Sequence, residues 1–233
     1  MRVRMAVALG LLAVPGLGAA APDADRTLCE GSPSAGTLHS GRRLESRPYL
    51  RIKAASQLNA WGHPMMLQLL SRGARAAAQA GSGSMALIGD LSARDGGPLP
   101  GHVSHQAGRD ADVGFFVSDS QGRPILLDAF EAFGADGHSL SVPEHYFDGY
   151  RNWVMLRAWF TDLRVVISHI FISSALRQLL LEYGQQSPEF QRYVPLASQV
   201  LHAYPNHADH FHVRIACPSD QGPACHDRGS SDE

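Results

Sequence analysis

Apolar residues return at helical spacing from Pro64 onward, placing Met66, Leu69, Leu70 and Ala77 on one face before Gly81 ends the run. A second helical pattern covers 148–162 with Tyr150, Val154 and Ala158 in register, and a third, capped by Ser173 or Ser174, runs through Tyr183. Ser187-Pro188-Glu189 has the cap, proline and acidic first turn of a fourth helix, which Pro205 closes. Strand patterns fill the intervals: alternation over 42–53, a short apolar run over 85–89, and further strands over 110–117, 164–173 and 210–216. The stretch 21–40, rich in Gly, Ser, Ala and Pro, reads as an irregular lead-in, and 90–100 as a loop that delivers the chain to His102. Gly81-Ser82-Gly83-Ser84 reads as a turn; it lacks the residues that a phosphate cradle or a nucleophile elbow needs. Helices and strands alternate without a regular βα rhythm, which predicts an α+β fold, a mostly antiparallel central sheet flanked by helices.

The 233 residues, 44% of them hydrophobic and 18% charged, suffice for one core, so 21–233 is expected to be a single domain. A formal net charge of -2 supplies no cationic field for a nucleic-acid partner. Residues 1–20 have the order of a cleaved signal peptide: a basic start, an apolar run, then the small residues around Ala20. That run is shorter than the roughly 20 residues a bilayer demands, and no later segment reaches that length, so no transmembrane segment is expected. Export places the three cysteines where disulfides persist. Cys217 and Cys225 are close enough to close a short loop, leaving Cys29 as the odd thiol.

Five of the 12 histidines fall in two brief windows, His102 and His105 in the first, His207, His210 and His212 in the second. Asp112 follows His105 by seven residues, so a loop imidazole and a strand carboxylate can converge on one point. Strand alternation sends His210, His212 and Arg214 to one face and Phe211, Val213 and Ile215 to the other. His105, Asp112 and His212 together make a three-ligand set that leaves a tetrahedral zinc one open position, the arrangement of catalytic sites. Nickel or copper could occupy the same ligands. His210, two residues from His212 on the same face, is the candidate general base. His207 could share that task, stabilise an oxyanion or orient a neighbour. Asp110 reads as a solvated carboxylate or as a partner that orients Arg109, not as a ligand.

Four segments, GHPMM at 62–66, LIGDLSARDGG at 87–97, GHVSHQAGRDADV at 101–113 and HADHFHVRIACP at 207–218, resemble the penicillin-insensitive murein endopeptidases in sequence, order and spacing. The resemblance implies the α+β core shared by lysostaphin-type enzymes, D-Ala-D-Ala carboxypeptidases and the hedgehog domain. It implies zinc on His105, Asp112 and His212, with His207 and His210 as further active-site histidines. His102 matches a position associated with a second metal at a subunit contact, which would make the protein a homodimer, or else orients a neighbour or touches substrate. Cys29 would lack the partner it has in longer relatives. The implied activity is hydrolysis of the D-alanyl to meso-diaminopimelyl amide that cross-links peptidoglycan, in the periplasm, with no serine for penicillin to acylate. A D,D-carboxypeptidase or dipeptidase acting on free stem peptides would use the same ligands. A non-catalytic metal-binding or wall-binding module is the alternative from another class.

Overall fold

The computed structural model of the chain describes residues 26–227 apart from position 82; the expected signal peptide, 1–20, lies outside the described residues. In chain order the elements are strands β1 (Leu28–Ser32), β2 (Ala35–His39), β3 (Arg42–Arg43), β4 (Leu50–Ile52) and β5 (Trp61–Gly62), then helix α1 (Pro64–Ala80). Strands β6 (Ala86–Ile88), β7 (Asp110–Gly114), β8 (Val117–Ser118), β9 (Pro124–Ile125) and β10 (Tyr146–Phe147) lead to α2 (Gly149–Phe160). Strand β11 (Ile167–Ile172), helices α3 (Ser174–Gln186) and α4 (Val194–Val200), and strands β12 (Leu201–Ala203) and β13 (His210–Ile215) complete the described chain.

Six strands form the central sheet in the order β12-β11-β13-β7-β6-β4. Its inner pairings are antiparallel and its two outer ones, β11 with β12 and β4 with β6, are parallel. The expected α+β architecture is therefore present, as a mixed sheet with an antiparallel centre. The alternation read in β13 separates two environments. Phe211, Val213 and Ile215 are buried in the core, where the Phe211 ring lies 6.4 Å from that of Trp159 on α2. His210, His212 and Arg214 stand on the opposite face.

The helices begin where their caps dictate. The His63 ring accepts the Met65 N–H ahead of Pro64, Asp148 accepts the Arg151 N–H, and Ser173 accepts the Leu176 N–H. Met66, Leu69, Leu70 and Ala77 of α1 are buried as their spacing predicts. On α2 the register differs: Tyr150 is at the surface, Ala158 is only half-buried, and Asn152, Trp153, Val154, Met155, Leu156 and Trp159 are buried. The helix is wedged between two others, which widens its buried arc. Trp159 fills the space over Gly73 of α1, where an added Cβ would come within 2.2 Å of the indole nitrogen, and Trp153 donates its N–H to the Leu180 carbonyl of α3.

Three further expectations are corrected. The lead-in over 21–40 contains the β1–β2 hairpin, turned at Pro33-Ser34 and anchored by Cys29 and Leu38, which pack with Ala107. The strand expected over 42–53 is split into β3 and β4 by a turn in which Arg47 and Leu50 bond each other. The helix expected from Ser187 starts later, as a 3-10 turn at Gln191–Tyr193 followed by α4, and it gives way to β12 well before Pro205. The segment 217–227 folds back on the hairpin: the Gly31 N–H bonds Ala224 O at 2.7 Å, and Gln221 Oε1 accepts the Cys29 N–H at 2.8 Å. Cys217 and Cys225 are joined by a disulfide within that segment, and Cys29 is a buried free thiol pushed up to about 12 chiefly by burial. No helix among the described residues is long and apolar enough to cross a membrane.

Candidate metal centre

The sheet register brings the two histidine windows together. On the chemical face His212 of β13 stands directly opposite Asp112 of β7, and Phe171 of β11 flanks His212 on its other side. His105 arrives from the preceding loop in the left-handed region, φ 68°, a strained conformation for a side chain of this size. Two bonds hold it there: its N–H donates to Asp110 Oδ2 at 3.3 Å and its Nδ1 donates to the Leu91 carbonyl at 2.6 Å. As a result Asp112 Oδ1 lies 3.3 Å from His105 Nε2, 3.5 Å from His210 Nε2 and 3.7 Å from His212 Nδ1. The other oxygen, Oδ2, lies 3.9 Å from His102 Nδ1.

Each of the five histidines gives its second ring nitrogen to an acceptor, which fixes both ring orientation and tautomer. His105 is tied to Leu91 O, His212 Nε2 to Asp110 Oδ1 at 2.8 Å, and His210 Nδ1 to Asp209 Oδ1 at 2.6 Å. His207 Nδ1 is held by Pro205 O at 2.7 Å and His102 Nε2 by Asp90 Oδ2 at 3.1 Å. Carbonyls and carboxylates accept only, so the nitrogen beside each carries the proton and the remaining nitrogen keeps its lone pair. For His105, His210, His212 and His102 that remaining nitrogen faces Asp112.

Such convergence of lone pairs is unfavourable in a buried site unless a cation or proton lies between them. His105 Nε2 and Asp112 Oδ1 are both buried and make no aligned hydrogen bond. Without a metal the conflict appears as displaced titration. Burial opposes charge on His105, but the Asp112 carboxylate overrides it and raises the imidazole to about 9. Burial also opposes charge on Asp112, yet the His105 imidazole outweighs it and holds the carboxyl well below its ordinary range. His212 goes the other way, lowered to about 4 mainly by burial, which leaves its Nδ1 lone pair available at neutral pH. The donor set of imidazoles and one carboxylate thus fits a divalent ion such as zinc. Ligand atoms of His102, His105 and Asp112 also lie within 4.8 Å of one another. His105 and Asp112 are common to that grouping and to the set read from the sequence. The third member differs: the grouping has His102, which approaches Oδ2 at 3.9 Å, where the sequence pointed to His212, whose Nδ1 approaches Oδ1 at 3.7 Å.

One residue beside the centre, Asp110, has surroundings other than those read from the sequence, and three others were not singled out there. Asp110 is neither solvated nor bound to Arg109: it is fully buried and accepts from His212, from Arg214 Nε at 2.7 Å and from the His105 N–H. Arg109 instead bonds Asp227 and the His226 carbonyl. Asp209, the neighbour of His210, and Asp90, which also accepts from Asn59 at 3.0 Å, were missed although both lie inside the quoted motifs. Phe130, which stacks on His210 at 5.1 Å, lies outside them and carried no signal.

The profile of the penicillin-insensitive murein endopeptidases matches residues 30–233. Proteins of that name from Salmonella paratyphi B, Salmonella newport and Salmonella schwarzengrund are each 28% identical over 175 residues, covering 73% of this chain and 59% of their own length. The chain therefore spans less than two thirds of the curated relatives it matches. With the family profile extending over most of the sequence, from within the first hairpin through both histidine windows, the chain belongs to the penicillin-insensitive murein endopeptidase family.

Proposed function

We propose that this chain is a zinc-dependent endopeptidase that hydrolyses the D-alanyl to meso-diaminopimelyl amide of cross-linked peptidoglycan in the periplasm. The observation that carries the reading is the buried, unpartnered pair His105 Nε2 and Asp112 Oδ1, with His212 Nδ1 and His210 Nε2 turned toward the same oxygen. In this reading His105, Asp112 and His212 hold the ion, which when bound polarises the scissile carbonyl and lowers the pKa of water. His210 is the base: its Nε2 takes the proton from the attacking water and returns it to the leaving amine, and Asp209 steadies the imidazolium through Nδ1. His207, 5.0 Å from His210 between ring centres and lowered chiefly by burial, is neutral with its Nε2 lone pair free. It serves as a proton acceptor beside His210 rather than as an oxyanion donor. His102, held by Asp90, brings the lone pair of its Nδ1 to 3.9 Å from Asp112 Oδ2 and is the alternative third ligand.

The test combines rate and metal content in one set of samples. Purified protein incubated with cross-linked muropeptide dimers should release monomers, stop on chelation, resume with stoichiometric zinc and ignore penicillin. His212→Ala should lose tightly held zinc and activity together. His210→Ala should keep about one zinc per chain while turning over on the order of a hundred-fold more slowly. Hydrolysis surviving excess chelator would remove the metal reading, and cleavage of free stem peptides with intact dimers would assign the carboxypeptidase activity instead.

A further inference from the structure

Phe130 occupies a slot cut by two glycines. A Cβ on Gly89 would come within 2.6 Å of its ring and one on Gly114 within 2.9 Å, so the ring lies where neighbouring strand residues would otherwise project side chains. In that slot it is nearly parallel to the His210 imidazole, at an interplanar angle of 19°. Against the same ring lies the Lys53 ammonium, 4.3 Å from the centroid. Lys53 is the only lysine in the sequence. Its backbone is fixed at the end of β4, where its N–H donates to Ile88 O at 2.7 Å.

Lys53 is half-buried and makes no ion pair among the described residues. Neighbouring Arg51, by contrast, is committed to Asp128 at 2.7 Å and to the Leu127 carbonyl. Lys53 also borders a cavity of about 470 Å³, whose other polar walls are Ser46, Arg51, Gln57 and Asp128. A cation positioned by an aromatic face, beside open space and short of an anion, is a binding arrangement for a carboxylate.

We propose that Lys53 is the specificity residue of this site and binds a free carboxylate of the stem peptide, seating the substrate beside the Phe130–His210 stack. The inference rests on the peptidoglycan reading above. The cross-linked unit carries a free carboxylate on the carbon bonded to the scissile nitrogen. An amide inside an ordinary polypeptide has another peptide group at that place, so an ammonium there selects the cross-link.

The experiment pairs Lys53→Met and Lys53→Arg with two dimers, one with that carboxylate free and one with it amidated. A charge-assisted contact of this kind corresponds to about tenfold to a hundredfold in binding. Wild type should show that rise in KM on amidation. Lys53→Met should show it already with the free acid and no further rise on amidation, with zinc content and melting temperature retained and kcat changed far less than KM. Lys53→Arg should recover most of the preference. A Lys53→Met variant that still prefers the free acid as strongly as wild type overturns the proposal, as does a loss confined to kcat. Binding of both dimers to chelator-treated protein separates this idea from the enzymatic one. If wild type cleaves neither dimer but binds the free acid in preference through Lys53, the endopeptidase reading fails and the Lys53 assignment stands. If it shows no such preference, the Lys53 assignment fails.

Discussion

Asp110→Asn removes one charge and replaces one acceptor by a donor at almost constant volume. Asp110 Oδ1 receives both His212 Nε2 and Arg214 Nε, at 2.8 and 2.7 Å, and Oδ2 receives the His105 N–H at 3.3 Å. A carboxamide has one oxygen and one NH2, so whichever way it turns, a donor meets a donor. The buried Arg214 at the same time loses the carboxylate that its Nε bonds. Breaking one side of a buried ion pair costs about 3–5 kcal/mol, and that figure already contains most of the price of the misplaced donor. In a domain of this size each kcal/mol moves Tm by about 2–4 °C, so the variant should melt about 6–20 °C lower. His212 also loses the partner that orients Nδ1, and a lost contact of that type lowers metal affinity by about tenfold to a hundredfold. Thermal unfolding of chelator-treated protein reads the first effect, and zinc competition against a chromogenic chelator on folded protein reads the second. A variant that keeps its Tm within about 2 °C and its zinc affinity within about twofold refutes the idea that Asp110 organises the centre.

The metal-free protein should be most stable near pH 6.5. His105 is raised to about 9, so its contribution is complete below the ordinary 6.5 and is lost as pH climbs through 9. His212 is lowered to about 4, so its contribution is complete above 6.5 and is lost as pH falls through 4. Zinc, taking the place of the His105 proton, should flatten the alkaline side, and a metal-free Tm that rises between pH 6.5 and 9 contradicts this assignment. Replacing Cys225 by Ser should cost about 2–3 kcal/mol by loop closure, read by denaturant unfolding, provided that mass spectrometry without reduction finds the Cys217–Cys225 bond in the parent.

The parts of the site that were legible in the sequence are those fixed by local spacing. His105 and Asp112 are seven residues apart, and the alternation His210-Phe211-His212 decides which side chains face the chemistry whatever the sheet order. The partners of those side chains depend on which strands become neighbours. Asp110 meets His212 only because β7 pairs with β13 in the register that sets Asp112 opposite His212. Phe130 reaches His210 across a loop, over Gly89 and Gly114, which the sequence placed inside expected strands without marking the space they leave. The same division holds for the fold. Helix α1 was legible from its own periodicity, whereas the short parallel strand β12 has only three residues and is defined by its neighbour β11. The β1–β2 hairpin was obscured by its small residues, which the close contacts of Gly36 with Ala107 and with neighbouring carbonyls require.

The clasp between segment 217–227 and the opening hairpin orders events in time. Its bonds join residues 192 apart at Cys29 and Gln221, and 118 apart at Arg109 and Asp227; the His212–Asp110 contact spans 102. Contacts of that sequence separation form late and slow a folding reaction. Arg109 immediately precedes the strand that carries Asp110 and Asp112, so the acidic half of the centre gains its backing only once residues 226 and 227 are in place. A chain still emerging from the ribosome and short of residue 212 has the first histidine window without the second, and one short of residue 227 lacks the carboxylate that holds Arg109. The geometry therefore delays the completed site until the last described segment has been delivered.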